Sequence, residues 1–331
     1  MSNDLNRRLF GAALLAGTGA LAFKTMRVPA FLRDRRKARS RVAILNADTY
    51  ATPALEMLVS DGLQLFALDL KGKNVLLKPN LVEYIPGAEV NTNSLLVGAA
   101  ADAFLKLGAK SVVVAEGPGH ERDTYLVVAQ NGLEAQLRNR SIRFVDLNRD
   151  EVVQVPLKNA LTGLDSLWLP RTVLAADIIV SMPKVKTHHW AGVTLSVKNM
   201  FGVIPGAVYG WPKNVLHWQG IDRSILDIAS TVPIHFVIAD GIVGMEGNGP
   251  LHGQPRHLGR IIMSDDPVAA DFTCAHLMGL NPWRVTHLAQ AASFLGNGDA
   301  KRIEQLAEGL PLRVRPFSVL PEFAHLLGER V

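Results

Sequence analysis

The residues best suited to chemistry crowd into one stretch, Pro183–Gly206, which reads PKVKTHHWAGVTLSVKNMFGVIPG. It holds three lysines (Lys184, Lys186 and Lys198), the adjacent pair His188 and His189, Asn199 and three glycines. Lys184 and Lys186 alternate, so in an extended segment they share a face. Two ammonium groups on one face repel unless an anion lies between them, which favours a phosphate or a carboxylate. His188 and His189 point to opposite sides of an extended chain, so one can face a site while the other packs. Lys198 follows Val193–Val197, a run that is apolar except for Thr194 and Ser196. A lysine there either snorkels or is partly buried, and a buried lysine has a lowered pKa suited to base or imine chemistry. Gly202 and the Pro205-Gly206 pair let the backbone approach a ligand closely.

Other polar residues fall at the ends of apolar runs: Lys78 and Asn80, Glu116 with His120, and Asp240 with Glu246. In a parallel sheet those ends lie along one edge, where ligands bind. On this reading Lys78, Asn80, Lys184, Lys186 and Asn199 hold a small anion, and His188 or Lys198 moves a proton. Asp240 and Glu246 form an acidic half that binds a hard divalent metal or serves as an acid–base pair. His252 and His257 flank that region as optional ligands. The phosphate-binding P-loop, the dinucleotide glycine fingerprint, the HExxH zinc motif and zinc-spaced Cys/His sets are all absent.

These residues need a scaffold, and the pattern of runs supplies one. Arg41–Asn46, Lys73–Val82, Lys110–Glu116, Ile142–Asp146, Asp177–Met182, Ile234–Asp240 and Leu258–Ser264 read as strands. Helices are expected over Thr52–Asp69, Asn93–Leu107, Asp123–Gly132, Ile221–Thr231, a segment opened by Asp265-Asp266-Pro267, and Trp283–Leu295. Val152–Leu157 and Ser166–Leu169 suggest a hairpin, and Gly241–Gly253, with five glycines, reads as a long loop. Strands alternating with helices predict an α/β fold, a mainly parallel sheet with helices on both faces.

The chain has 331 residues and a formal charge of +5, but residues 1–41 carry ten basic side chains against two acidic ones. The remaining body is therefore mildly acidic, and nucleic acid is not an expected partner. Asn6-Arg7-Arg8-Leu9-Phe10 sets a twin arginine before an apolar run, Leu9–Phe23. That is the shape of a twin-arginine export signal, which implies a periplasmic or membrane-associated protein. Eight further basic residues from Lys24 to Arg41 oppose export. The alternatives are a basic leader lying on an anionic membrane surface and cytoplasmic residence. The division expected is a leader over 1–41 and an α/β domain over 42–331. Cys274 is the lone cysteine, in a helix-like apolar run. No iron–sulfur cluster and no internal disulfide are expected, and the thiol reads as a small buried hydrophobe.

Taken together, LLKPN at Leu76–Asn80, MPKVKTH at Met182–His188, VTLSVKNMFGVIPG at Val193–Gly206, DGIVGMEGNGP at Asp240–Pro250 and DPVAAD at Asp266–Asp271 resemble the domain of unknown function 362 family. The resemblance covers roughly residues 42–280. It implies the α/β fold and the site, and the family's frequent twin-arginine leader implies export. Some members add a ferredoxin-like cysteine module, which this chain lacks. Gly192 followed by Lys198 and Pro205-Gly206 also looks like a segment of the nickel-pincer lactate racemases. That resemblance implies a cofactor at Lys198 and a metal or proton role for His188. The expected function is an enzyme acting on a small anionic substrate, with a divalent metal as a possible cofactor. The alternative is a non-catalytic protein that binds or delivers an anionic ligand or cofactor.

Overall fold

The computed structural model describes residues 35–119 and 123–328. The twin-arginine motif, the apolar run after it and His120 lie outside these residues. The strands are β1 (Ser40–Asn46), β2 (Asn74–Pro79), β3 (Ser111–Glu116), β4 (Phe144–Asp146), β5 (Val152–Pro156), β6 (Ser166–Pro170), β7 (Ile178–Met182), β8 (Lys184–His188), β9 (Gly192–Thr194), β10 (Phe236–Asn248), β11 (His252–Ser264) and β12 (Ile303–Ala307). Ten of them form one sheet in the order β12-β1-β11-β10-β7-β2-β3-β4, with β8 paired to β10 and β9 to β8. The pairs joining β10, β7, β2, β3 and β4 are parallel, whereas β11 is antiparallel to both neighbours. The β5–β6 hairpin forms a separate two-stranded sheet.

Side-chain alternation along the strands explains the layering. In β1, Val42 and Ile44 enter one core cluster while Ala43 and Leu45 enter the other. In β2, Leu76 falls on the first side, with Val75 and Leu77 on the second. Period two over a two-faced sheet requires helices on both sides. The helices Ala54–Gln64 and Ser94–Lys106 cover one face, and Ile221–Thr231, Pro267–Leu277 and Thr286–Ala291 cover the other. Asn93 accepts from Leu95 N and opens Ser94–Lys106. Asp266 accepts from Val268 N and Ala269 N, with Pro267 in the first turn, so both starts follow the N-cap rule. Cys274 is buried in that second helix, where burial pushes its thiol well above the ordinary range.

Three expectations about elements are corrected. The glycine-rich stretch Gly241–Gly253 is not a long loop, because β10 and β11 run on as a hairpin to Asn248 and His252. Gly241 and Gly244 serve close packing, and Gly249 lies in the hairpin turn. A Cβ on Gly244 would lie 2.6 Å from Val185 O, and one on Gly241 would lie 2.9 Å from Arg260 O. The first helix stops at Gln64, short of Asp69, and Trp283–Leu295 keeps an α-helix only over Thr286–Ala291.

Candidate functional site

The parallel strands β2, β3 and β7 bring Lys78, Glu116 and Ser181 to one edge of the sheet. Lys78 is fully buried, and its ammonium forms an ion pair with Glu116 Oε2. It also donates to Pro79 O at 2.8 Å and to Asn199 Oδ1 at 3.0 Å. Glu116 accepts in addition from Leu81 N and Gly117 N. Asn199 Nδ2 donates to Lys78 O and Ser181 Oγ, both at 3.1 Å. Lys78 and Asn199, expected to hold a ligand, thus hold each other and Glu116. All three N–H bonds of Lys78 are engaged. Burial pulls the Lys78 pKa down, against the opposing pull of Glu116.

Lys184 meets a second set of acids. It is fully buried on β8, beside its strand partner Asp240. Its Nζ donates to Glu89 Oε2 at 3.0 Å, Tyr50 Oη at 3.1 Å and Asp240 Oδ2 at 3.2 Å. Tyr50 donates to Asp240 Oδ1 at 2.6 Å, and Asn93 N to Oδ2 at 2.9 Å. Burial and the Asp240 carboxylate push the Tyr50 phenol far up, so it stays a donor. Both oxygens of Asp240 are occupied, one by an ammonium. Glu246 lies beyond a β-bulge in β10 and accepts from Ser318 N at 3.0 Å. No group of three or more His, Cys, Asp or Glu suited to a metal occurs among the described residues. Asp240 does not fit a divalent metal, because a cation there would meet the Lys184 ammonium.

Lys186, one step along the same face of β8, enters a different environment. A cavity of about 230 Å³ is lined by Lys186, Lys198 and Lys213, with Asn80, Glu116, His188, His189, Trp190, Thr194, Phe201 and His217 among its other walls. Lys186 donates to Val90 O at 2.8 Å. Lys198 has no hydrogen-bond acceptor among the described residues, and its ammonium lies 4.9 Å from the centre of the Phe201 ring. Lys213 donates to Gly117 O at 2.6 Å and Phe201 O at 3.2 Å. Glu116 is the one carboxylate among the lining residues, and Lys78 already takes it. Asp271 accepts from Ser196 N at 2.7 Å and Val197 N at 3.0 Å, which fixes the helical turn Ser196–Asn199 that carries Lys198.

Burial and like charge act together on these amines. Lys198 is pulled down to about 8, first by burial and then by Lys78. Lys213 is pulled down to about 7, chiefly by burial. Lys186 falls well below the ordinary lysine range through burial, Lys198 and Lys184. Two buried acceptors on the same walls, Asn80 Oδ1 and Thr194 Oγ1, have no partner. Such atoms carry a desolvation penalty that a ligand would relieve.

The histidine tautomers follow from their neighbours. His188 Nδ1 accepts from Trp190 N at 3.0 Å and Ala191 N at 3.2 Å, so its proton sits on Nε2. Burial and Lys198 hold it neutral. Metal ligation by His188 would need the Nε2 lone pair and a proton on Nδ1, where two backbone N–H groups already point. The residue thus does not fit the ligand role that the racemase resemblance implies. His189 and His217 are arranged the other way. Each shares Nδ1 with a backbone carbonyl, Gly249 O at 2.8 Å and Lys213 O at 3.2 Å, which leaves Nε2 as an acceptor. The His188 and His189 rings stack at 4.9 Å.

Of the residues expected from the sequence, Asn80, Lys186, His188, Lys198 and Asn199 line the cavity together, with Glu116, His189 and His252. Lys184 and Asp240 stand apart in their own network. Sequence reasoning passed over Lys213, His217 and Trp190 as site residues. Only the Gly210-Trp211-Pro212-Lys213 turn hinted at Lys213, which sits at a φ of 69°.

Fold and site define an α/β protein with a lysine-lined cavity at the ends of its parallel strands. The chain belongs to the family described as Domain of unknown function (DUF362), which matches residues 75–276. A relative, the thylakoid-associated protein sll1697 of Synechocystis, is 31% identical over 230 residues, covering 66% of this chain and 67% of its own length. The lactate racemase apoprotein from Thermoanaerobacterium thermosaccharolyticum superimposes with a TM-score of 0.40 at 16% identity, over 67% of this chain. The match spans about half, 54%, of that structure. A Thermotoga maritima protein gives a TM-score of 0.36 at 14% identity, over 70% of this chain and 60% of its own.

Proposed function

We propose that this protein binds a small anionic molecule in the cavity of Lys186, Lys198 and Lys213, and acts on it by proton transfer. One observation carries the reading: three lysines line one cavity whose sole lining carboxylate is already paired with a fourth lysine, Lys78. Unmatched buried ammonium groups are unfavourable alone and favourable around an anion. Lys198, brought down to about 8, exchanges a proton near neutral pH. His188 offers an Nε2–H to a substrate oxygen, and His189 and His217 offer acceptor nitrogens. These roles differ, so a single substrate can be oriented and deprotonated in the same place.

Proton–deuterium exchange on bound small carboxylates and phosphate esters, followed by NMR in D2O, tests the chemistry. Exchange that disappears in Lys198→Met supports an enzyme. Tight binding with no exchange on any compound supports the second reading, a non-catalytic protein that binds or delivers an anionic ligand or cofactor.

We also propose that residues 1–41 bring the protein to a membrane surface, after export or without it. Their ten basic side chains against two acidic ones support this, as does the thylakoid association in the name of the Synechocystis relative. Among the described residues no helix is long and apolar enough to cross a membrane. Fractionation of cells carrying Arg7→Lys/Arg8→Lys separates the routes, because a twin-arginine substrate is then retained in the cytoplasm.

A further inference from the structure

We infer that the cavity selects a doubly charged organic anion of the phosphate monoester class over a monocarboxylate. This rests on the anion-site reading above and narrows it. Each ammonium has three N–H bonds. Lys186 uses one, on Val90 O, and Lys213 uses two, on Gly117 O and Phe201 O. Lys198 uses none among the described residues and rests on the Phe201 ring. His188 adds a further donor through Nε2–H. A monocarboxylate brings one charge and two oxygens, and so leaves ammonium charge unmatched in a buried place. A phosphate monoester brings up to two charges and three terminal oxygens, which suits donors converging from several directions.

The second observation concerns the rest of the ligand. Asn80 Oδ1 and Thr194 Oγ1 line the same cavity, are buried and have no partner. Asn80 is 8% exposed and Thr194 3%. An amide oxygen needs a donor, which an anionic oxygen cannot supply. A hydroxyl or N–H group on the uncharged part of the ligand would satisfy the Asn80 amide oxygen. Aromatic rings form part of the same lining. Trp190 packs against His217 at 5.0 Å, and Phe201 against His217 at 5.0 Å. A flat organic body fits against them better than a short aliphatic one.

Calorimetric titration of the full chain at pH 7.5 with phenyl phosphate and with benzoate isolates charge, because the two probes share a ring. Phenyl phosphate is expected to bind at least about tenfold more tightly, from the added charge-assisted hydrogen bonds. Lys198→Met and Lys213→Met, made separately, should each reduce that ratio. The wild-type ratio needs no variant, so a misfolded mutant does not remove the test. Equal affinity for the two probes would overturn this inference and leave the anion site standing. Failure of both probes to bind would overturn the anion reading itself.

Discussion

Lys184 and Lys186 sit two residues apart on the same face of β8, equally buried, yet the protein treats them in opposite ways. Lys184 is met by Glu89, Asp240 and Tyr50, so its charge is answered within the fold. Lys186 is met by one backbone carbonyl and by the positive field of Lys198. Lys78 repeats the first pattern beside the cavity, and Lys198 and Lys213 repeat the second. Lys78, Lys184, Lys186 and Lys213 are all buried, so burial alone does not identify a site. What separates them is whether a carboxylate touches the ammonium: Glu116 and Asp222 act on Lys213 and Lys198 without contacting them, which leaves the contact position to a ligand.

Mutations sharpen this contrast most where a pair is broken. Glu116→Gln leaves Lys78 buried without its carboxylate, and chemical denaturation should show a loss of about 3–5 kcal/mol. Lys184→Met should fall at the lower end, about 3 kcal/mol, because Tyr50 and Asn93 still donate to the stranded Asp240. Lys186→Met should lose less, about 1 kcal/mol, since it strands one backbone carbonyl, Val90 O, rather than a carboxylate. A melting temperature that falls as far for Lys186→Met as for Lys184→Met would erase the distinction between the two lysines.

A separate effect is expected in pH dependence. Lys213 and Lys198 lie near 7 and 8 in the folded chain, against an ordinary 10.5. Between those values the unfolded chain holds protons that the folded one has released. Stability of the ligand-free protein should therefore rise with pH from about 7 towards 10.5, and Lys198→Met should flatten the rise. Anion affinity should move the other way and weaken as pH climbs through 7 and 8, because the amines then lose the charge that holds the ligand. Thermal melts across that range, with and without phosphate, read both slopes.

Much of this was legible in the residues. Apolar runs such as RVAILN and KNVLLKPN placed strands, and the alternation of Lys184 with Lys186 placed both on one face. The sequence also marked Asn80, Lys186, His188 and Lys198, which converge. It could not say which lysine meets an acid, because Glu89, Glu116 and Tyr50 come from distant parts of the chain. Nor did spacing mark Lys213, whose inward course depends on a left-handed turn after Pro212. The Gly241–Gly253 stretch misled for a related reason. Glycine there allows backbones to pack closely across a hairpin, and that cannot be told from a flexible loop without the partner strand.

The central claim is that the cavity lysines lack a carboxylate in contact until an anion arrives. Calorimetric titration with phenyl phosphate at pH 8, in two buffers of different ionisation enthalpy, measures it directly. Binding should draw protons from the buffer, because the anion raises the lowered lysine values, and the uptake should shrink in Lys198→Met. Binding with no proton uptake, or no binding of any phosphate or carboxylate at all, would contradict the account.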